Sequence, residues 1–132
     1  MSSTSIDLSF EVFPAASEVA KANLKKTVQK LAQFSPRYVS VTQGADGASH
    51  DGTLGTLDEL RIANPSLGLA GHLTSRTGSK GETLAVAEDY EAAGSRWIVA
   101  LRGDSAEGAG QPFHPHPHGF QSTPEFLSLI HI

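Results

Sequence analysis

The sequence predicts an α/β fold, the N-terminal half of a TIM (β/α)8 barrel with about four β/α units. Three observations lead there. Four short apolar stretches alternate with three helical patterns in the order β-α-β-α-β-α-β, with short helix-to-strand and longer strand-to-helix connections. That alternation calls for a parallel sheet with right-handed crossovers. Each stretch also shows one apolar face and one face of small or polar residues: Ser9 and Glu11; Ser40 and Thr42; Ala70 and His72; Ala100, Arg102 and Asp104. A doubly wound sheet lies under helices on both sides and should be apolar on both, whereas the inside of a barrel collects polar groups near its mouth. Finally, within Arg96–Asp104 the apolar run gives way at its C-terminal end to Arg102-Gly103-Asp104, and that end of a strand is where such folds bind ligands.

Taken in order, Ile6 to Phe13 alternates as a strand, with Leu8, Phe10 and Val12 on one side and Ser9, Glu11 and Phe13 on the other, closed by Pro14. Ser17 precedes a helix carrying Val19, Ala20, Leu24, Val28 and Leu31, its lysines forming a solvated face. The second strand is Tyr38 to Gln43, ended by Gly44. Ala45 to Gly55 reads as a glycine-rich loop, and a weakly helical stretch with Leu54, Leu57, Leu60 and Arg61 ends at the turn Asn64-Pro65. Strand three is Leu67 to Thr74. After the loop Ser75 to Lys80, a helix from Glu82 to Ala93 ends at Gly94, and Arg96 to Asp104 is the fourth strand.

The 132 residues suffice for one domain or part of one. A net charge of −4 argues against nucleic acid or an anionic membrane as the main partner. Without cysteine there is no disulfide or thiolate chemistry. No leader-like start or bilayer-length apolar stretch is visible, so a soluble cytoplasmic chain is expected.

Glu11, set between Phe10 and Val12, is expected to be partly desolvated, with a raised pKa that suits a proton donor; it could equally be a salt-bridged barrel glutamate paired with Arg102. His72 reads as a ligand hydrogen-bond donor, a metal ligand or a satisfied core histidine. Arg102, Gly103 and Asp104 are site candidates or ordinary loop residues. Gly44-Ala45-Asp46-Gly47 and Gly108-Ala109-Gly110 lack the spacing of a phosphate loop and read as plain loops. His114, His116 and His118 alternate with prolines, whose extended conformation splays the rings, so no metal site is expected.

Ser9-Phe10-Glu11-Val12-Phe13-Pro14, Tyr38-Val39-Ser40-Val41-Thr42, Gly71-His72-Leu73-Thr74 and Ile98-Val99-Ala100-Leu101-Arg102-Gly103-Asp104 resemble, in order and approximate spacing, the first four strand motifs of methylenetetrahydrofolate reductase. The resemblance covers about Ile6 to about Phe126. It implies a β/α barrel that binds FAD, takes electrons from NADH or NADPH and reduces a folate substrate, methylenetetrahydrofolate, to methyltetrahydrofolate, without nucleic acid or membrane and with a homo-oligomer admitted. It implies Glu11 as general acid and Asp104 as a catalytic residue near the flavin and the pterin. Thr42, His72, Leu101, Arg102 and Gly103 take flavin-contacting positions, and Phe120 stands where the family often has a flavin-contacting tyrosine.

The family chain is about twice this length. Leu127 to Ile132 matches the translation of a common sequencing adapter, so residues 1–126 are expected to be a truncated barrel and residues 127–132 a non-native tail, the chain as given being inactive. The rival reading is a non-catalytic half-barrel that binds a partner or ligand.

Overall fold

Four strands, β1 (Ser9–Val12), β2 (Tyr38–Val41), β3 (Leu69–Thr74) and β4 (Trp97–Leu101), pair in parallel in the order β1-β2-β3-β4. They come from a computed structural model that describes residues 5–43, 50–75, 78–105, 107–108 and 110–130. Between them run α1 (Glu18–Ala32), α2 (Asp51–Ala63) and α3 (Lys80–Ala92), and α4 (Thr123–Ile130) follows. The expected order of strands and helices is present, with each strand shorter than its apolar run. No helix among the described residues is long and apolar enough to cross a membrane.

Local chemistry accounts for most boundaries. The Ser17 hydroxyl accepts from the Ala20 amide at the start of α1, and Ser79 with Glu82 forms a reciprocal capping box at the start of α3. Gly94, at φ +88°, follows α3 in the left-handed region that glycine tolerates.

Two helices depart from expectation. α2 begins at Asp51, inside the expected loop, despite Gly52 and Gly55. Its propensity is poor, and what supports it is tertiary: Thr53, Leu57 and Leu60 are buried, and the Thr53 hydroxyl donates to the Thr42 carbonyl at 2.9 Å. α4 was not expected at all. Ser122 caps it by accepting from the Glu125 amide, and the Glu125 carboxylate accepts from the Gln121 amide and pairs with Lys80 on α3. The chain leading into it is tied to α3 by the Lys80 amide, which donates to the His118 carbonyl at 3.0 Å.

The core lies on one side of the sheet. Val12, Val39, Val41, Leu69 and Leu73 pack with Val28 of α1, Leu57 and Leu60 of α2, and Tyr90 of α3. Each such aliphatic or aromatic side chain contributes about 1.5–3 kcal/mol of transfer free energy. Gly71 belongs to this side: a Cβ there would come within 3.0 Å of three atoms of the Tyr90 ring. The opposite side holds Ser9, Glu11, Ser40, Ala70 and His72, and none of the core helices packs there. Helices gathered on one face of a four-stranded parallel sheet are consistent with half of a TIM barrel.

Register corrects one expectation. His72 pairs with Val99 and Ala70 with Trp97, so Trp97, Val99 and Leu101 share the face of His72. Ala100 packs on the helix side with Ile98, opposite to the parity read from the sequence. Trp97 to Leu101 is apolar throughout, so its alternation carried no signal.

Candidate active site on the open face of the sheet

β1, β2 and β3 bring three polar side chains together on the helix-free face. Glu11 pairs with Ser40 across β1 and β2, and Ser40 with Ala70 across β2 and β3; His72 lies two residues along β3 on the same side. His72 Nε2 is 3.1 Å from Ser40 Oγ and 3.4 Å from Glu11 Oε2. The Ser40 hydroxyl donates to the Phe10 carbonyl at 3.5 Å.

Burial separates the three. Ser40 and His72 are 4% and 7% exposed, whereas the Glu11 side chain is 58% exposed. The desolvation expected for Glu11 is therefore not present, because no layer of described residues covers it. Its partner is His72, not Arg102. For His72, burial pushes the imidazole below its ordinary value of 6.5, and the Glu11 carboxylate opposes this more weakly. The imidazole is neutral at pH 7. Tyr90, raised to about 12 chiefly by burial, stays protonated and donates to the His72 carbonyl at 3.0 Å.

The floor of this face is aromatic. Tyr38 and Trp97 stack with ring centroids 5.7 Å apart, at the N-terminal ends of β2 and β4. Polar groups therefore sit further along the strands than the aromatic pair, toward the loops that follow.

The remaining expected residues are spread around that end. Thr42, half-buried, continues the ladder past β2, its amide donating to the Val12 carbonyl at 3.0 Å. Leu101 pairs with Thr74 on the His72 face. The Arg102 guanidinium lies over the Phe113 ring, 4.6 Å from its centroid, and Nε donates to the Gly103 carbonyl at 3.4 Å. Gly103 takes φ +82°. Asp104 is exposed and has no hydrogen bond or ion pair to Glu11 or His72. Phe120 is 1% exposed, its ring 5.1 Å from that of Phe126, so here it is a core residue with no surface for a ligand.

Two residues join the site that the sequence did not single out for it. Ser40 stands between Glu11 and His72 in the sheet, its hydroxyl 3.1 Å from His72 Nε2; the alternation of β2 places it on the polar face, but nothing in the sequence marks its partners. Gln43 Oε1 accepts from both the amide and the hydroxyl of Thr74, at 3.1 and 3.0 Å, tying the end of β2 to the end of β3. The loop Gly44-Ala45-Asp46-Gly47 lies outside the described residues, and Gly108-Ala109-Gly110 and Ser75–Lys80 lie partly outside them. Among the described residues no cluster of three or more His, Asp or Glu could hold a metal ion, and the His118 amide is bonded to His116 Nδ1.

The helix-free face thus carries a buried imidazole, a buried hydroxyl and an exposed carboxyl group beside Val99 and Leu101. The profile of the family described as methylenetetrahydrofolate reductase matches residues 1–132. The chain is 36% identical over 107 residues to 5,10-methylenetetrahydrofolate reductase of Salmonella typhimurium, covering 81% of this chain and 36% of that protein. The protein of that name from Escherichia coli K12 gives the same values, and the one from Pectobacterium carotovorum is 35% identical with the same coverage. The chain thus spans about a third of the length of the curated relatives it matches.

Proposed function

Because the chain belongs to the methylenetetrahydrofolate reductase family, we propose that it is part of a flavin-dependent oxidoreductase that reduces 5,10-methylenetetrahydrofolate to 5-methyltetrahydrofolate with NADH or NADPH. The observation that supports this most directly is Glu11 at 3.4 Å from a buried, neutral His72 on the helix-free face. Opening the folate's five-membered ring to an iminium requires a proton at the departing nitrogen, and Glu11 supplies it. The buried imidazole, its pKa lowered by desolvation, places little positive charge beside that carboxyl group.

The donor set fits FAD. Thr42, His72 and Leu101 would border the flavin ring, Gly103 would allow close approach of the backbone, and Arg102, whose guanidinium has no acidic partner among the described residues, would meet a phosphate. When bound, FAD supplies the hydride that this chain's side chains cannot. Asp104 would lie near the pterin, and Phe120 belongs to the packing beneath the site. The parts of the barrel that complete the site lie in the portion of the relatives this chain does not span. The 132 residues alone are therefore proposed to be inactive, in a cytoplasmic protein without nucleic-acid or membrane partners.

The test is the complete gene. Its product should purify yellow, be reduced by a nicotinamide and pass the electrons to methylenetetrahydrofolate. A colourless full-length protein with no flavin affinity would favour a binding module instead.

A further inference from the structure

A cavity of about 560 Å³ opens at the N-terminal ends of the strands, on the side away from Arg102, Gly103 and Asp104. The residues immediately before β2, β3 and β4 line it: Arg37, Gly68 and Arg96. Arg61, near the end of α2, and Trp97 also line it, and among the described residues no carboxylate does. The side chains are placed by the backbone. The stem of Arg61 lies over Gly94, where a Cβ would meet Arg61 Cδ at 2.6 Å, and Gly68 leaves room for Trp97, whose Cζ3 a Cβ would meet at 2.9 Å. Arg37 and Arg61 have exposed acid partners outside the wall, Asp7 at 2.7 Å and Asp58 at 3.3 Å. Arg96 has no acid partner among the described residues. Such exposed pairs are weak and readily exchanged.

We propose that this cavity binds a small polyanion of the pyrophosphate class, free or carried by a nucleotide, at the strand end opposite to Arg102, Gly103 and Asp104. Three guanidiniums are planar forks that match phosphate oxygens two at a time, which a single carboxylate would not use. The volume is that of a small-molecule site. With Asp7 and Asp58 set against Arg37 and Arg61, Arg96 remains as an unbalanced positive charge on the wall, in a chain whose net charge is −4.

Trp97 is the single tryptophan of the 132 residues, so its fluorescence reports occupancy. The chain is titrated with inorganic pyrophosphate and with ADP, and 31P line broadening gives an independent measure. Saturable binding near or below ~1 mM is expected. Arg96→Gln and Arg37→Gln should each weaken it by about tenfold, while Lys26→Gln, which removes one positive charge from α1, should not. Far-UV circular dichroism confirms that the variants fold. Tighter binding of ADP than of pyrophosphate identifies a nucleotide ligand, and equal binding identifies the bare anion; both support the site. No saturation with either probe by either measurement, or equal weakening by Lys26→Gln and Arg96→Gln, overturns it.

Discussion

His72 Nε2 and Glu11 Oε2 face each other at 3.4 Å across two strand spacings, with Ser40 Oγ 3.1 Å from the same nitrogen. One partner is buried and the other is in reach of water. Burial lowers the pKa of the imidazole, so little positive charge stands beside the carboxyl group.

If Glu11 is the acid, the two halves of the reaction respond differently to its loss. In the complete enzyme, Glu11→Gln should leave reduction of the flavin by nicotinamide unchanged, since that step takes no proton from this site. Folate reduction should fall by at least ~10²-fold. Stopped-flow measurement of each half-reaction checks this, and an equal loss in both would make Glu11 a structural residue.

The burial of His72 also makes stability depend on pH. Its folded pKa lies below the ordinary 6.5, so between those two values the unfolded chain binds more protons than the folded one. This contribution is fully present above about 6.5 and is lost as pH falls from there through the folded pKa. Urea unfolding at a series of pH values should show stability decreasing over that window in the wild type. In His72→Gln the slope over the same window should be smaller. An unchanged slope would mean that His72 ionises as freely in the folded state as in the unfolded one.

How far the sequence could be read depended on where alternation was present. β1 and β2 alternate, so the shared face of Glu11 and Ser40 was legible. β4 is apolar from Trp97 to Leu101, so only the backbone register could show that Val99, rather than Ala100, stands beside His72. α2 starts among glycines because Thr53, Leu57 and Leu60 are buried, a tertiary effect that local propensity does not contain. α4 does carry a local signature, Ser122-Thr-Pro-Glu125, which matches a helix start. The exposure of Glu11 was not legible, since the burial of a residue on a sheet face is decided by whatever packs over that face.

Tyr90 is held from two directions, its ring against Gly71 and its hydroxyl on the His72 carbonyl. Gly71→Ala would place a methyl within 3.0 Å of three atoms of a fully buried ring, and should destabilise the fold by about 1–3 kcal/mol. Adding Tyr90→Leu should recover part of that loss, because the clash is removed, at the expense of the hydrogen bond to His72. Chemical denaturation of the single and double variants measures the coupling. Additive losses would show that the ring and the methyl do not compete for the same space.

The edges of the sheet set the behaviour of the isolated chain. Among the described residues β1 pairs only with β2 and β4 only with β3, so each outer strand presents a row of unpaired amides and carbonyls. The face between them carries Trp97 and Leu101, each 36% exposed, and no described helix packs over it. Two copies placed β4 to β1 would satisfy both edges and cover both faces. The 132-residue chain should therefore run as a dimer or larger species in size-exclusion chromatography. It should also be colourless. The chain spans 36% of its Salmonella relative, and if the remainder supplies even three hydrogen bonds to a flavin at ~1 kcal/mol each, their absence weakens binding by roughly two orders of magnitude. Flavin absorbance recorded across the same elution decides both points. A yellow monomer that turns over methylenetetrahydrofolate would show that these four strands hold a complete site, and that the open face needs no further half to work.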